Sequence, residues 1–93
     1  MDSYELINER VAVACTFRLS DPRSLCYPAK MRWRGRDISF TKLGLRHPTT
    51  KGSRMLHVFD MSDGDTDYRL EFDAESLTWT LVTISAGVDH AAA

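Results

Sequence analysis

From Val11 the chain alternates strictly: Val11, Val13, Cys15 and Phe17 occupy one set of positions, and Ala12, Ala14 and Thr16 the other. That period of two predicts a strand with one buried face, and it makes Cys15 a core residue. Upstream, residues 3–9 suggest one helical turn, with Ser3 as its cap and Leu6 and Ile7 turned inward. Residues 18–28 hold Asp21-Pro22 and Tyr27-Pro28 and read as an irregular loop pinned by Leu19, Leu25 and Tyr27.

The next segment reads as a hairpin around Arg34-Gly35, the glycine supplying the positive φ of a tight turn. It pairs Trp33 with Arg36, Arg32 with Asp37, and Met31 with Ile38. Met31, Trp33, Ile38 and Phe40 then share a face, Arg32 meets an opposite charge on the other, and the Arg36 guanidinium can lie over the Trp33 indole. The inward alternation shifts between Phe40 and Leu43, predicting a bulge near Thr41-Lys42. Residues 47–53 read as a polar loop.

The C-terminal half predicts a three-stranded meander. A turn at Asp63-Gly64 pairs Phe59 with Tyr68, His57 with Leu70, and Met55 with Phe72. A second turn over Asp73-Ala74-Glu75-Ser76 pairs Phe72 with Leu77, Leu70 with Trp79, and Tyr68 with Leu81. Both turns place Met55, His57, Phe59, Tyr68, Leu70, Phe72, Leu77, Trp79 and Leu81 on one face. With no helix long enough to cover a sheet, the expected fold is mostly β. It is a single small antiparallel barrel or roll of SH3-like size, with about six strands and this C-terminal meander. An orthogonal sandwich is the near alternative, and an OB-fold lacks its helix.

Ninety-three residues make one domain over 1–93, with an ordered core at about 9–84 and a tail over 85–93. The terminal Ala91-Ala92-Ala93 reads as linker residue or a frayed end. No run approaches the ~18 apolar residues of a membrane span, and there is no basic-then-apolar leader pattern, so a cytoplasmic location without membrane contact is expected. Cys15 and Cys26, the only cysteines, stand eleven apart with no zinc spacing and read as reduced thiols.

Net charge is only −1, but its distribution is lopsided. Eight of the nine charged residues between Ala29 and Arg54 are basic, the exception being Asp37. Seven of the eight between Asp60 and Glu75 are acidic, the exception being Arg69. Either the two halves neutralise each other in the fold, or a basic binding surface lies opposite an acidic one.

Candidate chemistry is sparse. The Asp60–Asp67 stretch lacks two of the three oxygen ligands that an EF-hand loop wants before its glycine, Phe59 and Met61 standing there instead. Only a weak calcium site, with Asp60 opposite Asp67, remains as an alternative to a solvated turn. His57 reads as a hydrogen-bonded core histidine, while His47 lies in a loop and His90 in the tail. No nucleophile has a legible His-plus-carboxylate partner, and no glycine-rich phosphate loop follows a strand. No catalytic residue, metal or cofactor is therefore expected, and the chain reads as a non-enzyme. The basic hairpin is the best functional candidate: Lys30, Arg32 and Arg34 form a row on the face opposite Trp33, with Arg36 beside Trp33 itself, and such a ribbon can meet phosphates. An exposed strand face charged for solubility explains the same residues. Leu56 and Val58, opposite the core set, leave room for a homodimer as well as a monomer.

The run from Pro28 through Trp33-Arg34-Gly35-Arg36 to Phe40 resembles a hairpin of small uncharacterised bacterial β-domains, whose pattern is Trp-Arg-Gly-Arg followed by alternating apolar positions. Asp67–Asp73 and Leu77–Leu81 are similar to that group's closing strands, and the likeness spans roughly residues 9–84. The chain departs from the group over residues 46–58, where more tryptophans would stand. The resemblance implies a bacterial domain of unknown function and carries over no catalytic residue. Together these readings favour an accessory module that binds a protein, with nucleic-acid binding through Lys30, Arg32, Arg34 and Arg36 as the alternative.

Overall fold

The computed structural model describes residues 4–17 and 26–86, which form seven antiparallel strands. These are β1 (Tyr4–Phe17), β2 (Cys26–Trp33), β3 (Arg36–Ser39), β4 (Lys42–Lys51), β5 (Arg54–Ser62), β6 (Thr66–Asp73) and β7 (Thr78–Ala86). Their order in the sheet is β3-β2-β1-β7-β6-β5-β4. The architecture is thus all-β among the described residues, with seven strands where about six were expected. Ser3, residues 18–25, His90 and the terminal alanines lie outside the described residues.

The edge strands β3 and β4 are joined by Phe40 and Thr41 alone. Three residue steps reach at most ~11 Å, whereas six strand spacings of ~4.8 Å would hold the edges of a flat sheet ~29 Å apart. The sheet must therefore roll. The link stitches its two sides: the Phe40 amide donates to the Ala29 carbonyl of β2 at 2.9 Å, and the Thr41 amide to the Ser62 carbonyl of β5 at 2.8 Å. No β3–β4 ladder forms, so the roll does not close into a barrel. The alternation shift that predicted a bulge at Thr41-Lys42 is this crossing. The irregularity in β4 itself falls at Gly44, where a Cβ would come within 3.3 Å of the Asp60 carbonyl oxygen.

The β2–β3 hairpin has the expected register, from Trp33 opposite Arg36 to Met31 opposite Ile38. Arg34 and Gly35 both take positive φ, 50° and 78°, as a twist-matched two-residue turn requires. In the meander the strands stand where expected, but both turns slip by two residues, and a further shift between Arg69 and Leu70 puts Tyr68 opposite Ile84 instead of Leu81. Phe59 faces Leu70, Met61 faces Tyr68, and Leu70 faces Leu81.

The causes of the two slips are local. Asp63 is not a turn-centre residue. Its carboxylate accepts the amides of Asp65 at 2.9 Å and Thr66 at 2.8 Å and the Tyr68 hydroxyl at 2.8 Å, so the turn centre moves to Gly64-Asp65. Asp73 likewise accepts the amides of Glu75 and Ser76, and Leu77 closes a four-residue loop in the left-handed region at φ 58°. A slip of two preserves the face and changes its ends. Met61 enters the core, while Leu77 stays 72% exposed in the turn. Met55 is 50% exposed because β5 outruns β6, whose last residue, Asp73, pairs with Leu56.

Met31, Leu70 and Leu81 are wholly buried, surrounded by Trp33, Ile38, Phe59, Met61 and Tyr68. Trp79 packs against Phe72 and Phe59 with ring centroids 4.9 and 5.4 Å apart. His57 is half-buried between Pro48 and Phe72, not beside Leu70.

The N-terminal helical turn does not form. β1 starts at Tyr4, pairs with β7 over Tyr4–Val11 and with β2 over Ala12–Phe17. Ile7 packs on the core, but Leu6 is 63% exposed. Cys15 and Phe17 are also exposed, although the alternation through Val11 and Val13 holds. The register against β2 shifts between Ala14 and Cys15, so that beyond it Thr16 is the half-buried residue and Cys15 and Phe17 are turned outward. Residues 47–51, expected as loop, continue β4. Pro48 is tolerated because β4 is an edge strand, on which a proline nitrogen can face away from its neighbour. Tyr27 and Pro28, also expected in a loop, belong to β2.

Candidate functional site

The outer surface of the β2–β3 hairpin carries the expected cations in a different arrangement. Lys30 and Arg32 stand opposite Ala14 and Ala12 of β1, and Arg32 donates to Asp37 at 3.1 Å. Arg34 does not continue this row. Its positive φ turns the side chain over Trp33, with the guanidinium carbon 4.7 Å from the ring centroid. From there Arg34 meets Glu9 through Nε–Oε1 at 3.2 Å and Nη2–Oε2 at 2.5 Å. Trp33 Nε1–H donates to the same carboxylate at 2.9 Å. Arg36 flanks the indole at 5.9 Å, as its register predicts.

The hydrogen bonds from Arg34 and then Trp33 hold the Glu9 carboxyl below its ordinary range. Glu9 went unnoticed in the sequence because it lies 25 residues from Arg34. It lies opposite Leu81 and on the same face as the core-packed Val11, which turns it toward Trp33. Of the four candidate residues, Arg32 and Arg34 are neutralised, while Lys30 and Arg36 have no carboxylate partner among the described residues.

The other end of the basic run meets the acidic one. Lys51 pairs with Glu71 at 3.3 Å, and Arg54 with Asp73 at 2.5 Å and Glu75 at 3.5 Å. Arg69 pairs with Asp60 at 2.8 Å. The two charge blocks thus neutralise each other at Lys51 and Arg54, whereas Arg32 and Arg34 of the hairpin pair with Asp37 and Glu9, outside the acidic block. The Lys51 and Arg54 pairs line an open depression of about 200 Å³ with Leu56, Arg10, Thr78 and Thr80. Leu56 and Val58 do face outward, yet they are only 6% and 4% exposed, so the apolar patch that suggested a homodimer is covered within the chain. Asp60 stands opposite Arg69 and Asp67 opposite Ser62, so the two carboxylates of the weak calcium site are not paired. No group of three metal-ligating side chains occurs among the described residues.

A third feature had no legible signal. Over Tyr4–Arg10, β1 has β7 on one flank and no described strand on the other, because β2 pairs with it only from Ala12 onward. Tyr4 and Leu6, on the face opposite Ile7, are 68% and 63% exposed beside that open edge. No helix of the described residues is long and apolar enough to cross a membrane. Comparison with family models, with curated proteins and with solved structures gives no match.

Proposed function

We propose that this chain is a non-enzymatic bacterial protein-interaction module, acting in the cytoplasm, whose contact runs along the N-terminal half of β1. The reading rests on one observation: an unpaired strand edge at Tyr4–Arg10 coincides with the exposed side chains of Tyr4 and Leu6. Such an edge can accept an added strand, its backbone groups supplying affinity and its alternate side chains specificity. Proteins usually blunt open edges with charge or proline, as Lys42, Arg46, Pro48 and Lys51 do on β4. Tyr4 and Leu6 do the opposite on β1. The hairpin supports phosphate binding less well, since half of its candidate cations are taken up by Asp37 and Glu9.

Affinity capture from native lysate tests the reading, comparing wild type with a Tyr4→Ser, Leu6→Arg double variant of matched thermal stability. A protein held by wild type and lost from the variant is the expected result. Identical capture by both, or capture by neither, overturns it.

A further inference from the structure

Cys15 and Cys26 lie near the facing ends of β1 and β2. The ladder there runs Cys15 opposite Pro28, Thr16 opposite Tyr27, and Phe17 opposite Cys26. The two cysteines are therefore diagonal neighbours on one face. Both are free, and Cys15 is exposed.

Diagonal positions hold Cα atoms ~7–8 Å apart, with the side chains closer. A disulfide wants at most ~6.8 Å. The remaining adjustment falls where the backbone yields most readily. The register shifts between Ala14 and Cys15, Cys26 is the first residue of β2, and Phe17 is the last of β1.

We propose that Cys15 and Cys26 form a dithiol pair that a low-molecular-weight disulfide such as glutathione disulfide converts to an intrachain bridge between β1 and β2. The Cys26 sulfur attacks one sulfur of the oxidant, whose S–S bond breaks, and the departing glutathione thiolate takes up the Cys26 proton. The Cys15 sulfur then gives its proton to solvent and attacks Sγ of Cys26, expelling the second glutathione thiolate, which is protonated in turn. Two protein thiols are oxidised by two electrons, and one disulfide is reduced to two thiols. Burial, and after it the neighbouring Cys26, pushes the Cys15 thiol up to about 11. It stays protonated near neutral pH, and the closing step quickens as pH rises.

The test exposes the full chain to a graded ratio of oxidised to reduced glutathione, alkylates the remaining thiols and weighs the products. The expected product is a monomer that takes no alkyl groups, yields a Cys15–Cys26 linked peptide, melts several degrees above the reduced form, and reverts with dithiothreitol. Cys15→Ser should instead accumulate one glutathionyl group on Cys26. Two alkylated cysteines across the whole series, or disulfides only between chains, would overturn the proposal.

Discussion

Leu77 separates the two meander registers by the sign and size of one substitution. If Leu77 faced Phe72 in the core, Leu77→Gly would remove a packed side chain at about 2–5 kcal/mol. It would also place a glycine in a strand at a further ~0.5–1 kcal/mol. The total would be a loss of about 2.5–6 kcal/mol.

In the observed turn Leu77 holds φ 58° and is 72% exposed. The left-handed conformation costs an L-residue ~1–2 kcal/mol, which glycine relieves. Against this stand the larger entropy of glycine in the unfolded chain, ~0.5–1 kcal/mol, and the residual burial of the leucine. That burial is about a quarter of the ~1.5–3 kcal/mol for a fully buried side chain. The terms nearly cancel, so Leu77→Gly should stay within about 1 kcal/mol of wild type.

Leu77→Ala loses the same contacts but keeps its Cβ and the strain, so the glycine variant should be at least as stable as the alanine variant. Urea melts with a shared m-value measure the difference, and thermal melts should move by less than ~8 °C, at ~4–8 °C per kcal/mol for a domain of this size. A loss above ~2 kcal/mol for Leu77→Gly at unchanged m, or a glycine variant clearly below alanine, would refute the turn assignment.

Other outcomes follow from the same packing and charges. Leu70→Ala, at a wholly buried site facing Leu81, should cost about 2–5 kcal/mol in denaturant melts, while Thr80→Ala on the outer face should cost under ~1 kcal/mol. Burial and then the hydrogen bond to Asp63 push the Tyr68 hydroxyl up to about 12. Its stabilising contribution is complete below pH ~10, the ordinary tyrosine value, and is lost as pH rises through about 12. Wild type should therefore lose stability relative to Tyr68→Phe over that window, and parallel alkaline profiles would contradict it. The Asp63 carboxyl is lowered: burial opposes this, but the amides of Asp65 and Thr66 and the Tyr68 hydroxyl outweigh it. The advantage of wild type over Asp63→Asn is then present above the ordinary carboxyl value and should shrink as acid titrates the folded-state group. With Arg32 and Arg34 both paired, labelled nucleic acid should bind no tighter than ~10⁻⁴ M at physiological salt. A salt-sensitive micromolar complex abolished by Lys30→Glu with Arg36→Glu would restore the phosphate-binding reading.

Sequence by itself determined the features written in short-range pattern. The Arg34-Gly35 hairpin with its Arg32–Asp37 pair follows from two turn residues and the alternation on either side, and the burial of Phe59, Tyr68, Leu70 and Leu81 from period two alone. Turn slips left these faces intact because a shift of two residues conserves parity. Local bonding that the turn dipeptides do not announce moved the turn centres, since the carboxylates of Asp63 and Asp73 accept the amides two and three residues further on.

Tertiary structure also decided everything that depends on where a strand outruns its neighbours. Cys15 and Phe17 are exposed because the β1–β2 register shifts after Ala14 and inverts the alternation that Val11 and Val13 set, and Tyr4 and Leu6 border an open edge because β2 joins β1 only at Ala12. Glu9 meets Trp33 and Arg34 because β1 lies beside β2 in the sheet, a neighbourhood that no local pattern announces. The rolling of the sheet follows from both at once. Strand order alone leaves it flat, and only the two-residue link between opposite edges compels it to curl.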